Sequence, residues 1–170
     1  DVELAVGGTL ARFVDQGDTV TIVTIANGNS TASELAPREL AAMAQSESGL
    51  AAQQLGVDLI WMNHSDFAVS SDAVTRLKLV EILRSANTDL VLGPTPLSNQ
   101  IDAEATWDLL RAAIEMASAP NVRSNSEALH SRPVLVAYEH AWSVGFVPTE
   151  FVDVTRVFTS KIKTLNEHRL

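Results

Sequence analysis

The sequence predicts a parallel α/β sheet with helices on both faces, and three observations carry that prediction. Helical and extended patterns alternate along nearly the whole chain. The first extended run, Thr19 to Ile25, is β-branched and almost continuous in apolar and Thr residues, as in a strand covered on both faces. Gly and Pro punctuate the junctions, at Gly17, Gly28, Gly56 and Gly93-Pro94.

The elements follow in order. Gly7-Gly8-Thr9 opens a helical pattern with Leu10, Phe13 and Val14 on one face, and Gly17 closes it as a C-cap glycine does. After the Thr19–Ile25 strand, Asn27-Gly28-Asn29 breaks the chain. Pro37 suits the first turn of a helix whose inner face is Leu40, Met43, Leu50, Ala51 and Leu55, ended by Gly56. Val57 to Met62 reads as a second strand. Ser70 or Ser71 can cap a helix with Val74, Leu77, Val80 and Leu83 inward. Asp89 to Leu92 is a third strand, followed by a helix from about Asp102 to Ala117. Pro133 to Tyr138 is a fourth strand, Phe151 to Val154 a short fifth, and Val157 to Glu167 a closing amphipathic helix. The whole reads as one Rossmann-like domain over residues 1–170.

Folds of this kind begin with a strand, whereas this pattern begins at the lip of a helix. The first strand of a doubly wound sheet usually lies centrally, at the switch point where ligands bind. The expectation is therefore a fragment of a longer gene product. The sheet should then show a gap between the Thr19–Ile25 and Asp89–Leu92 strands.

Composition excludes several classes. At 170 residues, 46% hydrophobic and 19% charged, the chain is globular rather than disordered. No apolar run reaches the ~18 residues of a membrane span, and no signal-peptide pattern opens the chain. Zero cysteines exclude disulfides and thiolate chemistry and fit a cytoplasmic protein. The net charge of -9 and the scattered basic residues oppose nucleic acid and anionic membranes.

Asp1-Val2-Glu3-Leu4-Ala5-Val6-Gly7-Gly8-Thr9 resembles the signature His-Pro-Asp-Asp-x-Glu-Leu-x-x-Gly-Gly-Thr of the LmbE-like, or PIG-L, de-N-acetylases, entered at the second Asp. The resemblance continues. Asn27-Gly28 stands at the turn after the family's second strand. Glu47 through Ala51-Ala52 to Leu55-Gly56-Val57 matches a helix end, and Asp66 falls where Pro-Asp-Gly is common. Pro148-Thr149-Glu150-Phe151-Val152-Asp153-Val154-Thr155 matches a late segment, and Lys161 through His168 the closing helix.

The resemblance implies zinc-dependent hydrolysis of an N-acetyl group on a GlcNAc-type amino sugar or conjugate. Zinc needs about three protein ligands and an open position for water, whose proton a neighbouring carboxylate removes. By resemblance Asp1 is a metal ligand, and Asn27, Gly28 and Asp66 contact substrate. The ligand His and the base Asp would precede residue 1. In the later motif His-Pro-Asp-His, Gln100 replaces the His that stabilises the oxyanion, Asp102 keeps the Asp, and Ala103 replaces the last zinc ligand. Two further polar positions differ: Ala44 replaces an Arg and Asn29 a Glu. Scaffold positions are kept while site positions change, so the expectation is an impaired or inactive deacetylase with doubtful zinc binding. The alternative is a non-catalytic protein that keeps the sugar pocket.

Plainer readings stand beside these. Asp1 can be a solvated terminal residue, and Asp102 simply a first-turn acid favoured by the helix dipole. Among His64, His130, His140 and His168, only His64 and His140 follow strands, where one could compensate for the lost ligand. Trp61, Trp107 and Trp142 read as packing rather than sugar platforms. Gly7-Gly8-Thr9 lacks the spacing of a nucleotide fingerprint and is read as close helix–sheet packing.

Overall fold

The computed structural model describes residues 2–32 and 34–168. Its regular elements are α1 (Val2–Gln16), β1 (Thr21–Ala26), α2 (Pro37–Leu55), β2 (Asp58–His64), α3 (Ala73–Ser85), β3 (Leu90–Pro94), α4 (Ile101–Ala117), β4 (Val134–Tyr138), a 3-10 turn (Thr155–Val157) and α5 (Phe158–Leu165). The α/β class holds, and both ladders are parallel. They form two two-stranded sheets, β1 with β2 and β3 with β4, so among the described residues no ladder joins β1 to β3. The chain divides into two compact units, one of residues 1–68 with 147–170 and the other of 69–146.

In the first unit α1, α2 and α5 pack together and α2 covers β2. Val6, Leu10, Ile22, Ile25, Leu40, Ala51, Ala52 and Leu55 are buried there. Pro37 opens α2 as expected, and Glu39 accepts a hydrogen bond from the Ala36 N–H at 3.1 Å, half of a capping box. Gly56 ends α2 in the left-handed region, at φ 73°. α1 opens at Val2 rather than Gly7, so the glycine pair lies inside the helix. A Cβ on Gly8 would stand 2.9 Å from Val154 Cγ1, so the close approach expected of Gly7-Gly8 is real, but its partner is the Val154 segment rather than a strand.

In the second unit α3 packs on α4, and α4 on β3. The core is Leu79, Val80, Leu83, Leu109, Leu110, Ala113 and Ile114. A long polar loop follows α4 and is held by Arg84, 6% exposed. The Arg84 guanidinium donates to the carbonyls of Met116, Ala117, Ala119, Val122 and Ser126 and to Ser124 Oγ. Two of those carbonyls belong to the last turn of α4, where the helix dipole favours a cation.

Four expectations are corrected. Phe151–Val154 is not a strand: Phe151 is 84% exposed, and Asp153 Oδ1 accepts both the Thr155 N–H (2.9 Å) and its hydroxyl (2.6 Å). That local turn competes with an extended ladder and leads into the 3-10 turn. Met43, Leu50, Val74 and Leu77 are exposed rather than inward, because a helical stripe wider than its partner leaves its margins in solvent. The closing helix is shorter than expected, with α5 ending at Leu165. The cap of α3 is Asp72 rather than a serine, with Val74 and Thr75 donating their N–H groups to it at 2.9 and 3.0 Å.

The Asp72 carboxyl is held far below the ordinary Asp value of 3.8, first by the Thr75 N–H and then by the Ser70 and Thr75 hydroxyls. A carboxyl whose folded-state pKa is depressed stabilises the fold above its unfolded value and loses that contribution as pH falls towards its folded value. Stability should therefore drop as pH falls below about 4, and Asp72→Asn should flatten that acid limb. Urea midpoints of parent and variant between about pH 6 and pH 2 check this, and parallel curves would refute it.

Candidate functional site

In a parallel sheet, ligands bind beyond the carboxyl ends of the strands. In the first unit, those ends of β1 and β2 carry Asn27-Gly28-Asn29-Ser30 and Asn63-His64-Ser65-Asp66. One carboxylate ties the two loops: Asp66 accepts from the Gly28 N–H at 2.8 Å through Oδ1 and from the Ser30 N–H at 2.9 Å through Oδ2. The Asp66 N–H donates in return to Asn29 Oδ1 at 3.0 Å, and Asn29 Nδ2 donates to Ser65 Oγ at 2.8 Å. Buried Asn27 donates to Asn63 Oδ1 at 3.0 Å and accepts from the Asn29 N–H at 3.2 Å. The fold thus brings Asn27, Gly28 and Asp66 into one cluster. The Gly28 N–H, both Asp66 oxygens and the Asn27 amide bond within the protein, so these groups shape the loop rim. Sequence reasoning missed Asn63, whose φ of 60° is a visible reason for Asn at a strand end.

In the second unit the matching end is that of β3 and β4. Gln100 sits at the N-cap of α4, and its carbonyl accepts from the Ala103 N–H at 3.0 Å and the Glu104 N–H at 3.3 Å. Asp102 lies in the first turn, and its Oδ1 accepts from the Val69 N–H at 3.4 Å. The helix-acid reading of Asp102 and a positioning role are both compatible with that geometry. The Thr95–Gln100 loop is stitched to the loop after β4 by the Asn99 N–H to the Trp142 carbonyl (3.1 Å) and the Val144 N–H to the Leu97 carbonyl (2.7 Å). His140 and Trp142 thereby join the segment that carries Gln100.

The donor set is a poor match to zinc. Ala103 is 5% exposed and its methyl has no lone pair. Among the described residues no three His, Cys, Asp or Glu side chains stand together as a metal set. Asp1 lies outside the described residues. His140 is a poor substitute ligand as arranged. Its Nδ1 is taken up by the Trp142 N–H at 3.4 Å, and its Nε2 is buried with no hydrogen-bond partner among the described residues. His168 points Nε2 at Glu3 Oε2, 3.7 Å away. The described residues therefore do not by themselves fit zinc.

Comparison with known proteins gives the remaining constraint. The profile of a family described as PIG-L, GlcNAc-PI de-N-acetylase, matches residues 1–114. No curated protein matches the chain in sequence. Among solved structures, the N,N'-diacetylchitobiose deacetylase of Pyrococcus horikoshii superposes with a TM-score of 0.85 at 26% identity, over 98% of this chain and 65% of that one. This chain thus spans less than two thirds of that enzyme. A conserved protein of Thermus thermophilus gives a TM-score of 0.84 at 24% identity, over 98% and 73% of the two chains. GalB, the 4-carboxy-2-hydroxymuconate hydratase of Pseudomonas putida, gives 0.87 at 20% identity, over 98% and 73%. The last two are similar in fold.

Proposed function

The chain belongs to the GlcNAc-PI de-N-acetylase (PIG-L) family, and from that premise we propose that it recognises an N-acetylated amino-sugar conjugate while its hydrolysis of the N-acetyl group is impaired. The observation that carries this reading is Ala103, buried in the first turn of α4 where the family resemblance calls for a zinc-binding imidazole. Likeness to a chitobiose deacetylase supports the amino-sugar half of the proposal. The tied loops of Asn27, Gly28 and Asp66 would form the sugar rim of the first unit. Gln100 would offer its side-chain amide to the acetamide oxygen. A neutral amide can stabilise developing negative charge there, but unlike an imidazolium it cannot pass on a proton. Asp102 would then position its own turn of α4 through the Val69 N–H.

The loss of both motif histidines, at Gln100 and Ala103, also favours the second reading, a non-catalytic sugar-conjugate binder. Metal analysis of the purified chain and acetate release from N,N'-diacetylchitobiose separate these possibilities. Zinc is expected well below one per chain. Turnover should lie more than about 100-fold below that of a deacetylase with all its ligands, since even an outer-shell partner is worth 10–100-fold. Sugar binding with no acetate release would select the binder. Stoichiometric zinc with full turnover would overturn the impaired-enzyme reading.

A further inference from the structure

The chain holds a single Asn-Gly pair, Asn27-Gly28, and the turn after β1 requires it. Gly28 has a φ of 71°, in the left-handed region, and a Cβ there would stand 3.3 Å from Ala44 Cβ. Asn27 closes the turn with its own side chain, its Oδ1 accepting the Asn29 N–H two residues on at 3.2 Å. The same pair is chemically labile, Asn being a thermolabile residue and Gly placing no side chain in the way of attack. The Gly nitrogen gives up its proton to solvent and attacks Cγ of the Asn side chain, ammonia leaves and a cyclic imide remains. Water then opens the ring to aspartate or isoaspartate, so the net exchange is one water in and one ammonia out.

Both reacting groups of Asn27-Gly28 are held. The nucleophile is the Gly28 nitrogen, whose hydrogen is bound by Asp66 Oδ1 at 2.8 Å. Its deprotonated form would lie against a carboxylate, and a like charge disfavours the charged form. The Gly28 carbonyl is held too, with the Thr31 hydroxyl donating to it at 3.0 Å. The electrophile is the Asn27 carboxamide, fixed by the Asn29 N–H and by its own Nδ2, which donates to Asn63 Oδ1 at 3.0 Å. Rotating it onto the Gly28 nitrogen breaks both bonds. Asn27 is 8% exposed, which keeps base and water from the pair. Asp66 Oδ2 also accepts the Ser30 N–H at 2.9 Å, so loss of this one carboxylate frees the nucleophile and the loop together.

We propose that Asn27 is a deamidation site kept latent by the Asp66 tie and modified when the β1 and β2 loops part. The isoaspartyl product carries one more backbone carbon, so the turn could not reclose on the same bonds. The test incubates the whole chain in mildly alkaline buffer below its melting midpoint and reads the mass gain at Asn27 by peptide mapping. A synthetic peptide of residues 25–31 gives the unprotected rate. The parent should deamidate at least about tenfold more slowly than the peptide, because reaction waits on local opening. Asp66→Ala should react roughly 10- to 30-fold faster than the parent, as the open form gains population. Asn63→Gly removes the acceptor of Asn27 Nδ2, suits the φ of 60° at that position, and should also speed the reaction. Arg84→Ala breaks a cage in the other unit and leaves the tie intact, so it should react as the parent does. All chains are first shown to be folded by thermal melting. The proposal is overturned if the parent matches the peptide, or if Asp66→Ala and Asn63→Gly both match the parent. It is overturned equally if Arg84→Ala reacts at Asn27 as fast as Asp66→Ala, since general instability would then set the rate.

Discussion

Arg84→Ala should lower the unfolding free energy by about 4 kcal/mol, among the largest effects a single substitution can have in this chain. The guanidinium is 6% exposed and serves five carbonyls and one hydroxyl. Bonds from a charged donor are worth about 1.5–3 kcal/mol each when judged singly, but they are not additive and the freed loop partly rehydrates. The sum is therefore far smaller than six separate bonds. Arg84→Lys should recover only a minor share, because an ammonium cannot span acceptors arranged around a planar fork. Neighbouring Glu81 reinforces the same loop. Its carboxylate accepts from the Ser126 hydroxyl (2.7 Å) and the Asn125 N–H (2.8 Å), and the Ser126 hydroxyl leads in holding it below the ordinary carboxylate value. Urea unfolding of parent and variants measures the difference, and a loss under about 1 kcal/mol would show that the loop is ordered by something else.

Asp66→Ala should be the most damaging substitution at the proposed sugar rim. It removes the acceptor of the Gly28 and Ser30 N–H groups at once, so both loops lose their mutual anchor. The stability cost should be about 2 kcal/mol, because Ser30 is exposed and water replaces part of that bond. The effect on the proposed sugar affinity should exceed tenfold, or about 1.4 kcal/mol, since a loosened loop must be reordered on binding. Asp66→Asn is the sharper probe. Its amide nitrogen has no lone pair, so one of the two N–H donors faces a donor while the shape is preserved. Parent-like affinity in both variants would remove Asp66 from the site.

Much of the fold was legible in the sequence because it rests on local rules. The β-branched run before Asn27-Gly28 became β1, Pro37 and Gly56 bound α2, and the helix before Ala117 became α4 within a residue of its expected start. The failures share one cause, that local pattern does not reveal a partner. Phe151–Val154 has the composition of a strand, but the Asp153–Thr155 turn captures it. Met43, Leu50, Val74 and Leu77 fit the helical period and stay exposed, because the stripe says which side faces inward and not how far the neighbour extends. The candidate site residues Asn27, Gly28, Asp66, Gln100 and Asp102 were named from the resemblance, and the structure adds which partners each of them has. What could not be read was their occupancy. Nothing local says that both oxygens of Asp66 are already engaged by backbone, or that a five-carbonyl cage surrounds Arg84. The left-handed backbone at Phe67, φ 63°, was not legible because such a position is inferred from Gly or Asn, and here neither is present.

Gly8 and Val154 have a consequence that concerns sequence drift. A helix bare at one position receives a branched side chain from a segment far along the chain, and a Cβ on Gly8 would stand 3.0 Å from Val154 Cβ. Neither residue can gain volume unless the other yields it. Related chains should therefore vary the two positions together, with alanine at the first matched by a smaller residue at the second. Such paired variation would come from steric exclusion, so a glycine doublet that invites a phosphate-binding reading can persist through descent for a reason unrelated to any ligand.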